Sequence, residues 1–166
     1  MTGRAAVAIA ALSGLLAAGA SVAADEACIF DQAAQLAHYR EMERRIPGAR
    51  FDKAERLLTI ARGVETITLS RGGCVHFGLF LTHSAPAAPG EAVPDIVFAR
   101  AVALVEEFGG GELVTAEAVA EAIRNEAFER VQDGFYYLRV PGVEVFSIEW
   151  GAADGRLRVE VGYYIN

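Results

Sequence analysis

Residues 54–83, AERLLTIARGVETITLSRGGCVHFGLFLTH, decide the fold, because their apolar side chains recur every second position. Leu58 and Ile60, then Ile67 and Leu69, then Val75, Phe77, Leu79 and Leu81 alternate with polar or small residues, as half-buried strands do. Arg62-Gly63 and Arg71-Gly72-Gly73 fall between the runs and supply the reversals. The stretch predicts a three-stranded antiparallel meander.

Working outward, residues 30–45 carry Asp31 early and Arg44-Arg45 late, the charge order that suits a helix dipole, and Pro47-Gly48 ends the element. Ile29, Ala33, Leu36, Ala37, Arg40 and Arg44 fall near helical spacing. On the other side of the meander, Ser84 to Pro94 contains Pro86, Pro89, Gly90 and Pro94 and reads as a connector. Pro94 then opens a helix to Phe108, with Ile96, Ala99, Val102, Ala103 and Val105 as its expected apolar face. After Gly109-Gly110-Gly111, Thr115 is placed as the N-cap of a further helix reaching about Glu129, with Glu117 in its first turn.

The C-terminal third returns to period two. Tyr136, Leu138 and Val140, then Phe146, Ile148 and Trp150, then Leu157, Val159, Val161, Tyr163 and Ile165 form three sets separated by Pro141-Gly142 and Asp154-Gly155. The expectation is an α+β, two-layer fold in the order α-βββ-αα-βββ, with helices on one face of a mostly antiparallel sheet of about six strands.

The first twenty-four residues set the expected compartment. Arg4 is a positive n-region, Ala5 to Gly19 an apolar Ala- and Leu-rich h-region, and Ser21-Val22-Ala23-Ala24 a small-residue cleavage site. This is the pattern of a cleavable secretory signal, which leaves residues 25–166 as one domain, periplasmic or secreted, with no stable membrane insertion afterwards. An uncleaved anchor is the competing reading, since about twenty uncharged residues can span a bilayer. Cys28 and Cys74 both lie in the exported part and are expected to pair, closing a loop of about 46 residues.

The segment removed holds Arg4 and no acid, so the remaining 14 Lys and Arg against 22 Asp and Glu stand at −8. With Lys53 as its single lysine, such a chain does not suit nucleic acid or an anionic membrane; a cationic protein partner suits it better. No catalytic motif occurs. His76 and His83 are seven positions apart, which on one strand sends them to opposite faces, and His38 falls on a helix, so neither metal nor cofactor is expected.

If the alternating apolar sets face the helices, the opposite face of the sheet carries His76, Phe80, Phe135, Tyr137, Val145, Arg158 and Tyr164. Aromatic residues with an Arg nearby are the composition of a binding surface. The bland expectation is that the sheet curls, or that the connector or N-terminal segment covers this face. The function expected is non-catalytic binding, in particular an inhibitor or immunity-type protein for a cationic envelope enzyme. The alternatives are a small-ligand or envelope-assembly module, with a cleft between helices and sheet, and a hydrolase built on carboxylates from different strands, such as Glu144, Glu149 or Glu160.

Overall fold

The computed structural model describes residues 28–74, 76–87, 93–109 and 114–165; the signal sequence expected over residues 1–24 lies outside them. Helix α1 (Gln32–Arg45) starts where Asp31 accepts hydrogen bonds from the Ala33 and Ala34 amides, and four strands follow it: β1 (Ala49–Asp52), β2 (Leu57–Arg62), β3 (Glu65–Gly72) and β4 (Phe77–Pro86). Helices α2 (Val93–Phe108) and α3 (Ala116–Arg124), the second capped by the Thr115 hydroxyl at the Ala118 amide, precede a second set: β5 (Phe128–Gln132), β6 (Phe135–Leu138), β7 (Val145–Ala153) and β8 (Arg156–Ile165). All eight strands join one antiparallel sheet in the order β1-β2-β3-β4-β8-β7-β6-β5. Each half is a meander, and the two meet at the long central pair β4–β8.

The sheet has eight strands, two more than the alternation predicts. The additions are its edges, β1 and β5, and the helix expected to reach Glu129 stops at Arg124 so that Phe128–Gln132 can pair with β6. β4 also runs to Pro86, into the stretch expected to be connector. Pro86 is tolerated there because it lies past the last β3 pairing, Thr66 with Ser84, and faces β8 alone.

Register explains the two layers. Leu58, Leu69, Leu81, Val161, Ile148 and Tyr136 stand directly opposite one another across six strands, and Leu79, Tyr163, Phe146 and Leu138 form the next row. These side chains belong to one buried cluster with Tyr39 and Met42 of α1, Val97, Ala101, Leu104, Val105 and Phe108 of α2, and Val119 of α3. The helices therefore pack on this face. Their buried stripes differ in phase from expectation: α1 turns Gln35, Tyr39 and Met42 inward, and α2 buries Val97, Phe98, Ala101 and Leu104 together with Val105, whereas of the expected face Ile96, Ala99, Val102, Ala103 and Val105 only Val105 is fully buried.

Cys28 and Cys74 form a disulfide, which ties the residues before α1 to the β3–β4 turn. The turn has no room for a side chain at Gly73: a Cβ there would lie 1.7 Å from the His76 carbonyl oxygen, and the φ of Gly73 is +153°. Gln35 clamps it from α1, donating to Gly73 O at 3.1 Å and accepting from Gly73 N at 3.2 Å.

Candidate functional site

The second parity of every strand points away from the helices, so the sheet has one face on which no described helix packs. Along its middle, Phe80 pairs with Gly162, Gly162 with Ser147, and Ser147 with Tyr137; one step toward the β3–β4 turn, Gly78 pairs with Tyr164 and Tyr164 with Val145. Two glycines make a bare strip at the centre of the sheet. Phe80 lies over both, since a Cβ on Gly162 would meet its ring at 3.0 Å and one on Gly78 would meet it at 3.2 Å, while Tyr164 covers Gly78 from the other side. An aromatic ring laid across a glycine of the neighbouring strand replaces the packing that the missing side chain cannot supply.

The rings continue past the centre. Phe80 and Tyr164 meet edge to face with centroids 5.1 Å apart, and Phe135 and Tyr137 do the same at 4.9 Å. Phe80 and Phe135 are half-buried, whereas Tyr164 is 41% exposed, Tyr137 43% and Val145 36%. Of the residues expected on this face, Phe80, Phe135, Tyr137, Val145 and Tyr164 form a connected strip. His76 is exposed just before β4, at the turn end of the strip.

Arg158 does not join the aromatics. It lies six residues from Tyr164 along β8, roughly 20 Å in an extended strand, and its guanidinium holds Glu160 at 2.7 Å. The band around it is acidic: Glu149 stands directly opposite Glu160, and the two border a hollow of about 310 Å³ with Gly151 and Arg158. This brings two acids together across strands, as the hydrolase expectation requires. Glu160, however, already accepts from Arg158 and from the Thr82 hydroxyl at 3.3 Å.

A cleft of about 600 Å³ lies at the β5–β6 end of this face; its walls include Tyr137, Val140, Pro141 and Val145, and its charged groups are Glu129, Arg139 and Glu144. Sequence reasoning expects a cleft between helices and sheet and does not find this one, because residues 139–144 form a loop whose course no periodicity encodes. Among the described residues, no group of three His, Cys, Asp or Glu side chains could hold a metal ion.

His76 and His83 lie apart, but not on opposite faces of one strand, because His76 precedes β4. His83 turns inward, 2% exposed, and its Nε2 lies 3.1 Å from Glu65, with Arg100 at 4.0 Å on the other side of that carboxylate. An ionised Glu65 can only accept, so Nε2 of His83 is the donor in this pair. This hydrogen bond first, and the Arg100 charge after it, hold the Glu65 carboxyl below its ordinary value. The unfolded chain therefore binds a proton at Glu65 before the folded one does, and the stability this group contributes above that ordinary value, about 4.5, is lost as pH falls through the lower folded one. Between pH 6 and pH 3, denaturant titration should show wild type losing more stability than Glu65→Gln; equal losses would mean the pair adds nothing. On α1, His38 has its pKa lowered, by burial first and then by the charges of Arg71 and Arg45.

The fold and this site define a two-layer α+β protein with a disulfide-pinned open sheet and an aromatic strip on the face where no described helix packs. No protein-family model, curated protein or solved structure matches the chain, so its function has to be argued from these residues.

Proposed function

We propose that this chain is an exported binding protein, periplasmic or secreted, that captures a cationic protein through the bare face of its sheet without chemistry of its own. The observation that carries the reading is the strip in which Tyr137, Val145 and Tyr164 stay exposed beside Phe80 and Phe135. Exposed aromatics on a rigid scaffold supply large contact area at small entropic cost, which is why they recur at the centres of interfaces. Glu129 and Glu149, whose carboxylates have no hydrogen-bond or ion-pair partner among the described residues, flank the strip, and the whole chain carries −7. Such a field steers a basic partner toward the face.

The disulfide supports an oxidising compartment, and the charged and apolar pattern of residues 1–24 supports export. A cationic exported enzyme is the partner this combination suits, with the chain acting as its inhibitor or immunity protein. The 600 Å³ cleft favours a second reading, a small-ligand module. Salt discriminates between them, because charge-steered capture weakens as ionic strength rises and apolar ligand binding does not.

The test is capture by the protein recovered after export, whose intact mass should show loss of residues 1–24. Purified basic exported hydrolases are offered to wild type and to Tyr137→Ala/Tyr164→Ala. The double variant should keep its fold and bind on the order of ten- to thirtyfold more weakly, the size expected when aromatic anchors are truncated. Equal binding by the two proteins would sink this face as the interface, and no binding by either would sink the capture role.

A further inference from the structure

We infer that the cleft at the β5–β6 end of the bare face is an anchor pocket for a Lys or Arg side chain presented on a loop of the protein partner; this deepens the binding role proposed above and rests on it. The cleft joins two chemistries that a long cationic side chain combines. Its apolar wall is the Tyr137 ring with Val140, Pro141 and Val145, suited to an aliphatic stem, and its Glu129 carboxylate is suited to a charged head, with Glu144 adding negative charge nearby. Glu129 stands directly opposite Tyr137 in the β5–β6 pair, so carboxylate and ring face the same guest. A cation seated there meets the negative face of the ring and a carboxylate together.

Other guests fit less well. An acidic side chain would meet two carboxylates against the one cation, Arg139. A purely apolar guest would strip water from the Glu129 carboxylate and give it nothing in return, which is unfavourable. A cation alone leaves the acid both desolvated and paired. The cleft is also held open before binding: the Glu144 amide donates to Tyr164 O at 3.0 Å, the Arg139 amide to Ala127 O at 2.9 Å, and β6 is paired on both sides. At about 600 Å³ it exceeds one side chain, which leaves space for the loop that carries it.

The experiment is a nitrogen-15 NMR titration of the oxidised protein with three acetylated and amidated pentapeptides, Gly-Gly-X-Gly-Gly, in which X is Arg, Glu or Leu. The Arg peptide should move the amides of residues 137–145, with an affinity roughly three- to fivefold weaker for Glu129→Gln and stronger for Arg139→Gln. Binding of the Glu or Leu peptide as tight as that of the Arg peptide, indifference to Glu129→Gln, or no shift of these amides would overturn the pocket. With a captured protein partner the two ideas separate. Sensitivity to Tyr164→Ala combined with indifference to Glu129→Gln removes the pocket and leaves the face, whereas indifference to both removes the face.

Discussion

Replacing Cys28 and Cys74 together with Ser is expected to lower the unfolding free energy by about 4 kcal/mol, the chain-entropy value for the 46-residue separation that the bond closes. Against a typical total of roughly 5–15 kcal/mol, that is a quarter or more of the stability of a domain this size. The bond does not act alone. The Ile29 and Phe30 amides both donate to Cys74 O, at 2.9 and 3.2 Å, and Gln35 grips Gly73 from both ends of its amide. With the cystine gone these bonds alone hold the segment before α1 to the turn, so hydrogen exchange should accelerate at Gly73 and through the first turn of α1 before it does in β7. Denaturant titration of oxidised, reduced and double-Ser protein checks the size. A loss under 1 kcal/mol would show that these hydrogen bonds pin the segment without the disulfide.

How much of this was legible in the sequence depends on whether one face of an element is dry. β2, β3, β4, β6, β7 and β8 declare themselves because each buries one parity against the helices, and the same alternation places Phe80, Phe135, Tyr137, Val145 and Tyr164 together on the other face. The edges do not declare themselves. β1 is only Ala-Arg-Phe-Asp, and β5 carries a bulge between Arg130 and Gln132 that breaks its period. The end of α3 is hidden for a related reason: Glu126 takes the left-handed turn at φ 52° where a glycine would have flagged it. Helix phase fails on particular residues. Gln35 is polar yet buried because it satisfies the Gly73 backbone, a contact 38 residues away that hydrophobic periodicity cannot weigh, and α2 is apolar on so many sides that its inward stripe has no contrast. Arg158 shares a parity with the aromatics but not a neighbourhood, since parity gives the face of a sheet and says nothing of the distance along it.

Tyr39→Ala is expected to destabilise the protein by about 3–5 kcal/mol, the range for truncating a buried aromatic, and Tyr39→Phe by about 1–2 kcal/mol. The ring is 1% exposed and stacks on Phe51 with centroids 4.5 Å apart. Its hydroxyl completes the sheet where a strand runs out. β2 begins at Leu57, opposite Ser70, so Arg71 on β3 has no β2 partner. The Tyr39 hydroxyl takes that place, accepting the Arg71 amide and lying 2.9 Å from Arg71 O and 2.8 Å from Arg56 O. Burial raises the Tyr39 pKa, which keeps the hydroxyl protonated and able to donate. Phe preserves the stack and removes only the hydroxyl, so the gap between the two variants measures packing; denaturant titration giving equal losses would assign the whole effect to the hydrogen bonds. Because Tyr39 projects from α1 onto the helix-covered face of the sheet, Tyr39→Phe should lower stability and leave partner capture unchanged. Tyr137→Ala should do the reverse, within about 0.5 kcal/mol of wild-type stability as for other surface substitutions. That double contrast tests the proposed division of the sheet, in which the parity packed on the helices holds the fold together and the other would serve recognition.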